Sequence, residues 1–212
     1  MRLRTNPRRL AALEDYVGKE LLTREIEQYK GKWRELLGNK PLALEIGCGK
    51  GAFLTGMGEL HPEMNFLGLE SQKEVCYYAV KKIREKQLTN VKIIFGQAEN
   101  LAAWFAPGEV EELYLNFSDP WPKARHAKRR LTYRTFLSQY KEVLVPHGHL
   151  RFKTDNDALF AFSLEEFKEF GLEFIGQTRD LHHSDYVNEV QTEYEKRFSQ
   201  LGKNINFCEV VF

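Results

Sequence analysis

One stretch near the middle of the chain joins a single carboxylate to a dense block of basic residues. In NFSDPWPKARHAKRR, Asp119 lies between an apolar run and two prolines, and five of the eight residues from 123 to 130 are Lys or Arg. A carboxylate at the end of a strand suits cation binding or acid–base chemistry. A basic block suits phosphates. The loop therefore combines a candidate catalytic group, Asp119, with a candidate contact for a polyanion.

A second candidate site is the glycine-rich loop at residues 47–51, between the apolar run PLALEI and the helix-like AFLTGMGEL. Glycines such as Gly47 and Gly49 let the backbone approach a ligand closely, and a helix N-terminus offers free N–H groups. Glu70 follows Gly51 by 19 residues, where a carboxylate accepts hydrogen bonds from ribose hydroxyls. The pair predicts an adenosine-containing cofactor. The alternative is a tight structural turn followed by a helix-capping Glu.

The identity of that cofactor depends on Glu45. Gly47, Gly49 and Ala52 also match the G-x-G-x-x-G/A pattern of dinucleotide enzymes, which is weak by itself. A carboxylate at Glu45 would lie poorly beside a pyrophosphate but suits a ligand that carries an ammonium and a sulfonium. The sequence therefore favours S-adenosylmethionine over NAD, while an ordinary strand-end carboxylate remains the alternative for Glu45.

The elements that must position these residues follow from hydrophobic periodicity. Short apolar runs predict strands at 41–46, 65–70, 91–95, 112–117, 149–155, 172–177 and 207–212. Helical spacing predicts helices at 52–60, 71–87, 133–144 and 157–170, a short helical piece around Trp104 and Phe105, and one or two surface helices within 13–37. This alternation predicts an α/β fold with a largely parallel sheet covered on both faces and ligands beyond the carboxyl ends of the strands.

Length and composition predict one sizeable globular domain. The chain has 212 residues, 42% of them hydrophobic. We expect residues 1–40 to form a basic N-terminal arm and helices, and residues 41–212 to form the main domain. The net charge of +1 means that affinity for nucleic acid must come from local clusters, MRLRTNPRR and residues 123–130.

Cysteine usage and hydropathy indicate the compartment. Three cysteines without a C-x-x-C pair argue against a disulfide framework and a zinc knuckle, so we expect no metal and a reducing cytoplasm. No stretch approaches the roughly 18 apolar residues of a membrane span, so we expect no membrane partner. A monomer and a homodimer both remain open.

Five motifs together resemble the bacterial tRNA (guanine-N7-)-methyltransferase family. They are LEIGCGKGAFL, FLGLE, NFSDPWPKARHAKRRL, FKTDN and TEYEKRF, between residues 42 and 198. The resemblance implies a single-domain, Rossmann-like class I methyltransferase fold with a seven-stranded, mostly parallel sheet. It implies methyl transfer from S-adenosylmethionine to N7 of guanine 46 in the tRNA variable loop.

The resemblance also implies roles for individual residues. It assigns cofactor contacts to Glu45, Glu70, Gln97 and Asp119. It assigns tRNA contacts to Lys123, Arg125, His126, Ala127, Lys128, Arg129, Arg130, Asp155, Thr192, Glu193, Tyr194 and Glu195. Many relatives carry an acidic residue or Asn where this chain has Gln97, and a carboxamide there would still meet the edge of an adenine.

The chemistry of such a transfer defines what Asp119 must do. Guanine N7 has a lone pair and no proton at neutral pH, so no general base is needed. We expect Asp119 to align donor and acceptor, with proton acceptance as the weaker alternative. The two prolines would keep the loop rigid. Trp121 either stacks on a base or packs in the interior.

The substrate-side residues keep structural alternatives. A flipped-out guanine presents N–H donors that a carboxylate reads, and Asp155, Glu193 and Glu195 are the candidates. Thr192 and Glu195 also have the spacing of a helix capping box, which is compatible with substrate contact. The basic block at 123–130 is otherwise a solvated charge run. An NAD-dependent dehydrogenase and a non-catalytic RNA-binding module remain the alternative functions.

Overall fold

The computed structural model describes residues 6–212, so residues 1–5 of the predicted basic arm lie outside the described residues. Its centre is an eight-stranded sheet in the order β1-β4-β3-β2-β5-β6-β8-β7. The strands are β1 (Leu21–Leu22), β2 (Leu42–Ile46), β3 (Asn65–Glu70), β4 (Val91–Phe95), β5 (Val110–Asn116), β6 (Leu144–Thr154), β7 (Glu173–Thr178) and β8 (Asn206–Val211). All pairs are parallel except those of β8, which is antiparallel to β6 and β7.

Helices cover both faces of the sheet. They are α1 (Pro7–Leu13), α2 (Trp33–Leu36), α3 (Ala52–Leu60), α4 (Lys73–Glu85), α5 (Leu101–Trp104), α6 (Arg134–Val143), α7 (Asp157–Phe170) and α8 (Glu193–Ser199). Apolar side chains of α1, α3 and α4 form one core layer, and those of α2, α5, α6 and α7 form the other. A smaller apolar cluster lies beneath α8. The predicted α/β class, largely parallel sheet and two covered faces are confirmed.

The seven predicted strands all occur, and six of them begin and end within two residues of the expected bounds because each is a short apolar run between polar turns. The exception is β6, which starts at Leu144, five residues before its predicted start and where a helix was expected to end. An eighth strand, β1, was not predicted. It comprises only Leu21 and Leu22, which pair with Ile93 and Ile94 of β4. Two residues are too few to produce a recognisable alternation in the sequence.

The prediction of one or two surface helices within residues 13–37 is confirmed only in part, by the short helix α2. This segment contains β1, short 3-10 turns and the one-turn helix α2, and it is anchored to the core. Trp33 is fully buried, and its Nε1 donates to the carbonyl oxygen of Trp104 at 2.8 Å. The buried Glu109 carboxylate accepts the backbone N–H groups of Gly31 and Trp33 at 3.0 and 2.9 Å. Long-range contacts, which local spacing does not encode, decide this segment.

Candidate active site

Two adjoining cavities open at the carboxyl ends of β2, β3, β4 and β5. Their volumes are about 700 and 450 Å³, and both are lined by Gly47, Glu70, Gln72 and Phe117. The strand order reverses between β2 and β5, which is the switch point where parallel α/β sheets bind ligands. The larger cavity also contacts Gln97, Asp119, Trp121 and Arg129. The smaller one contacts Glu45, Gly49, Thr192, Glu193 and Tyr194.

The glycine-rich loop is held in a conformation that only small residues permit. Gly51 has a φ of +73°, and a Cβ built there would lie 2.9 Å from the Cβ of Ala79 in α4. Gly49 has a φ of +57° and directs its N–H to Glu70. The loop therefore brings backbone, rather than side chains, to the cavity wall.

Glu70, at the end of β3, holds the glycine-rich loop by a hydrogen bond. Its Oε2 accepts the Gly49 N–H at 3.0 Å, and its Oε1 accepts the Gln72 N–H at 2.9 Å. Burial raises the pKa of Glu70, and these backbone donors oppose that rise. Each carboxylate oxygen has a second lone pair, so both remain able to accept a ligand hydroxyl.

Glu45 is the most unusual group of the site. It is 2% exposed, and its Oε1 accepts Asn116 Nδ2 at 2.9 Å. Among the described residues, no donor reaches its Oε2 or the Oδ1 of Asn116, although both atoms are buried. Burial raises the pKa of Glu45 to about 7, against the opposing effects of Asn116 and the Lys153 cation. A buried carboxylate oxygen without a partner is costly, and a cationic donor would satisfy it. The alternative of an ordinary surface carboxylate at Glu45 is wrong.

The loop after β5 is strained and braced. Phe117 and Trp121 have φ angles of +53° and +41°, which are rare for bulky side chains. The Phe117 N–H donates to the carbonyl oxygen of Lys153 at 2.9 Å. Arg130 donates to the carbonyl oxygens of Pro120 and Trp121 at 3.0 and 3.1 Å. This bracing holds Asp119, which is exposed, at the wall of the larger cavity.

The basic block forms a 3-10 turn over Ala124–Arg129 beside that cavity. The side chains of Lys123, Arg125, Lys128 and Arg129 are exposed, whereas His126 and Ala127 are half-buried. Arg130 differs, because its guanidinium lies 4.2 Å from the centre of the Phe162 ring and braces the loop. Sequence reasoning treated these residues alike, since spacing does not reveal that Arg130 points inward.

Trp121 is neither buried in the core nor fully exposed to solvent. Its ring is half-buried at the wall of the larger cavity. The Arg129 guanidinium lies 4.8 Å above it, and the His126 ring meets it edge-on at 5.8 Å. Trp121 therefore packs the basic block against the cavity wall.

The remaining predicted substrate residues lie around α8. Thr192 Oγ1 accepts the Glu195 N–H at 2.9 Å, and Glu195 Oε2 accepts the Thr192 N–H at 3.3 Å, which confirms the capping box. Tyr194 is 44% exposed, stacks on Phe198 at 4.3 Å and contacts the Phe117 ring at 5.0 Å. These rings form an aromatic wall beside the smaller cavity.

The three candidate carboxylates for reading guanine have different surroundings. Asp155 Oδ2 lies 3.6 Å from Lys203 Nζ, and Glu193 forms an ion pair with Lys82. Glu195 is fully buried. Its Oε1 accepts from His182 Nε2 at 2.8 Å and from Asn188 Nδ2 at 2.6 Å, while its Oε2 faces the Thr192 N–H and Lys153 Nζ. Glu195 is therefore not placed to accept hydrogen bonds from a guanine, because its side chain is buried and already accepts hydrogen bonds from other residues of the protein.

Two residues of the candidate site were not assigned a role from the sequence. Asn116 orients Glu45, and Lys153 is a buried lysine at the end of β6 that contacts Asn188 and Glu195. The available signal for Lys153 was the alternation in HLRFKTD, which puts His149, Arg151 and Lys153 on one face of β6. That pattern does not reveal burial.

The described residues contain neither a candidate membrane span nor a candidate metal centre. Across residues 6–212, no helix combines the length and apolarity required to cross a membrane. In the same part of the chain, no group of three or more His, Cys, Asp or Glu side chains is arranged to hold a metal ion.

Solved structures with the same architecture include several methyltransferases. One described as an antibiotic-related methyltransferase superposes with a TM-score of 0.64 at 19% identity, covering 86% of this chain and 92% of that one. A SAM-dependent methyltransferase from Aquifex aeolicus has a TM-score of 0.56 at 15% identity and covers 98% and 99% of the two chains. The fold is therefore that of the class I methyltransferases.

Sequence comparison defines the family more narrowly. Residues 39–208 match a family model described as "Putative methyltransferase". The chain is 46% identical over 216 residues to the tRNA (guanine-N(7)-)-methyltransferase of Geobacillus sp. (strain WCH70), covering 100% of this chain and 96% of that protein. It is 50% identical over 188 residues to the Limosilactobacillus reuteri (strain DSM 20016) enzyme of the same name, covering 88% of each. The chain belongs to the bacterial tRNA (guanine-N7-)-methyltransferase family, which confirms the resemblance.

Proposed function

We propose that this protein transfers the methyl group of S-adenosylmethionine to N7 of a guanine in tRNA, at position 46 of the variable loop. The observation that carries the proposal is the buried Oε2 of Glu45 beside the glycine-rich loop, which has no hydrogen-bond partner within residues 6–212. It supports a ligand with both an adenosine and an ammonium. The names of the close relatives support tRNA as the acceptor.

The residues present fit this cofactor group by group. Glu70 would accept the ribose hydroxyls, while Gly47 and Gly49 admit the ligand close to the backbone. Gln97 is exposed in the lining of the larger cavity and would meet the adenine edge. Glu45 would accept the ammonium, whereas a dinucleotide would bring a pyrophosphate to this carboxylate.

The bound cofactor supplies a methyl group on a sulfonium, and the protein supplies alignment. Guanine N7 would form a bond to the methyl carbon through its lone pair while the bond between that carbon and sulfur breaks, so its electron pair returns to sulfur and no proton is removed in the step. Asp119, fixed by the braced loop, orients the purine and stabilises the positive charge that develops on it. Only the part of this attraction that grows in the transition state accelerates the reaction.

The surface around the cavities suits a folded RNA. The exposed cations Lys123, Arg125, Lys128 and Arg129 would contact backbone phosphates. On the other side, Tyr194 presents an aromatic face to a base, and Asp155 and Glu193 remain the carboxylates for the N–H groups of guanine. A tRNA substrate would place the protein in the cytoplasm.

The decisive experiment is incubation with methyl-labelled S-adenosylmethionine and bulk tRNA, followed by mapping of the modified nucleotide. We expect label only in 7-methylguanosine of the variable loop. Thermal stabilisation by S-adenosylhomocysteine and none by NAD would reject a dehydrogenase. A wild-type protein that binds tRNA but never methylates it would reject the proposed activity and favour a binding module.

A further inference from the structure

Lys153 is a buried cation that joins two parts of the site. Its side chain is 7% exposed at the end of β6. Its Nζ donates to Asn188 Oδ1 at 2.5 Å and lies 3.5 Å from Glu195 Oε2. A buried ammonium is costly unless it is paired, so these two groups compensate Lys153 in the structure.

On its other side Lys153 faces the cofactor carboxylate. It is the β6 partner of Asn116 in the sheet register, and Asn116 holds Glu45. Burial raises the pKa of Glu45 and lowers that of Lys153, and the attraction between the two charges opposes both shifts. Lys153 therefore interacts with Glu45 in β2 and with Glu195 in α8.

Glu195 belongs to residues 181–199, here called the acceptor-side segment, which carries Thr192 and Tyr194. Buried polar contacts of Glu195 hold this segment together, with His182 and Asn188 as its nearest donors. Lys153 attaches the same cluster to the sheet. The contacts of Lys153 are therefore contacts between the segment and the cofactor-binding domain.

We propose that Lys153 is a positioning residue that couples ammonium binding at Glu45 to closure of the acceptor-side segment. When the acceptor-side segment is displaced from Lys153, Glu45 would be the remaining partner of Lys153, which would then compete with a ligand ammonium for Glu45. With the segment in place, Glu195 neutralises Lys153 and leaves Glu45 to the ligand. Coupling is reciprocal, so an ammonium at Glu45 also strengthens the hold of Lys153 on the segment. This inference rests on the proposed function, which supplies the ammonium.

Hydrogen exchange on the wild-type protein tests the coupling without any substitution. The probes are S-adenosylhomocysteine, which has the ammonium, and methylthioadenosine, which lacks it, each at saturation. Residues 185–190 are the readout, because they line a separate cavity of about 390 Å³ and not the glycine-loop cavity. We expect slower exchange there with S-adenosylhomocysteine only. Equal protection by both ligands, or by neither, overturns the proposal.

Substitutions separate coupling from a purely structural role. In Glu195→Gln, Lys153 loses its charged partner, so affinity for S-adenosylhomocysteine should fall about tenfold, within the usual range for coupled sites, while affinity for methylthioadenosine is unchanged. The double variant Lys153→Met/Glu195→Gln removes both charges and should recover most of the loss. Glu189→Gln is the matched control, since Glu189 lies in the same segment but contacts His61. Parallel losses for both ligands would indicate a structural role and reject the coupling.

The pH profile gives an independent readout. The groups that face Glu45 are Asn116, Lys153, Glu70 and the Cys48 thiol, whose own pKa burial raises well above its usual value. Without the Lys153 cation, the midpoint at which affinity for S-adenosylhomocysteine rises with pH should move upward. An unmoved midpoint in the double variant rejects the coupling.

Failure of the coupling and failure of the proposed function give different results. A wild-type protein that binds S-adenosylhomocysteine and methylates tRNA, but shows no ligand-dependent difference at 185–190, loses only the coupling. A wild-type protein that binds neither ligand loses both proposals.

Discussion

Asn116 Nδ2 donates to Glu45 Oε1 at 2.9 Å and thereby orients a buried carboxylate whose second oxygen has no donor among the described residues. Both residues stand at the carboxyl ends of neighbouring parallel strands, β2 and β5, at the switch point of the sheet. The pair therefore presents a preformed acceptor for a cation. The pKa of Glu45 gives the first prediction.

Glu45→Gln should stabilise the protein at high pH and weaken cofactor binding. The pKa of Glu45 is raised from 4.5 to about 7, so its protonated form favours folding below pH 4.5, and that stability is lost as the pH rises through 7. Gln mimics the protonated form, and the gain in unfolding free energy at pH 8.5 should be about 3 kcal/mol. Urea denaturation at pH 8.5 and 4.5 measures the gain. It should nearly vanish at pH 4.5, and an equal gain at both would contradict the assignment.

Binding of S-adenosylhomocysteine should depend on pH through the same group. Affinity should rise as the pH increases through about 7, because only the ionised carboxylate attracts an ammonium strongly. Methylthioadenosine should show a flat profile. Isothermal titration calorimetry from pH 5.5 to 8.5 compares the two ligands, and identical profiles would remove Glu45 from the ammonium site.

Glu70→Ala should weaken both of these ligands alike. The substitution removes the ribose acceptor and also releases the Gly49 and Gln72 N–H groups that Glu70 holds. Charge-assisted hydrogen bonds contribute about 1.5–3 kcal/mol, and their loss corresponds to roughly tenfold to 150-fold weaker binding. Comparison with Glu45→Gln is the control, since that variant should affect S-adenosylhomocysteine alone. A Glu70 variant selective for one ligand would argue against ribose binding.

Asp119→Ala should lower kcat with little change in cofactor affinity. Asp119 is exposed at the wall of the larger cavity and acts on alignment and on charge that develops in transfer. Removing one such group typically costs about a hundredfold to a thousandfold in kcat. Single-turnover methylation of tRNA measures the chemical step, and Ser118→Ala controls for disturbance of the loop. An unchanged single-turnover rate would exclude Asp119 from the step.

Replacing the four outward cations should weaken tRNA binding and flatten its salt dependence. The variant combines Ala at Lys123, Arg125, Lys128 and Arg129. The slope of log affinity against log salt should shrink by about three, at roughly 0.7 to 0.9 per phosphate contact. The control variant has Ala at Lys141 and Lys168. These residues lie in the last turns of α6 and α7, just before the amino ends of β6 and β7, whereas the cavities open at the carboxyl ends of the strands. A slope that is unchanged in the fourfold variant would show that the block is a solvated charge run.

The strands, most helices and the rim of the site were predictable from sequence because they depend on local patterns. Apolar runs ending in Glu45, Glu70 and Asn116 imply parallel strands, and parallel strands bring their carboxyl ends to one edge. The capping box at Thr192 and Glu195 is likewise local, since it joins residues three apart. For the same reason the family could be identified from contiguous motifs.

The features that spacing could not predict depend on contacts between distant segments. Whether Arg130 faces solvent or the Phe162 ring is decided by an element 32 residues away. Whether Glu195 is free or buried depends in part on Lys153, which lies 42 residues away in the chain. The same holds for residues 13–37, where Glu109 and Trp104 anchor a segment with little helical character of its own.

The amino-acid sequence alone therefore determined the fold class, the family and the types of groups at the cavity, because each is encoded in local patterns of residue type. Tertiary structure decided which of those groups are free to meet a ligand. In the part of the chain that the structure describes, it left Glu45 Oε2 without a partner, gave Glu195 its donors and placed Lys153 between the two carboxylates. Burial and pairing are properties of packed neighbours, and packing joins residues that no sequence spacing relates.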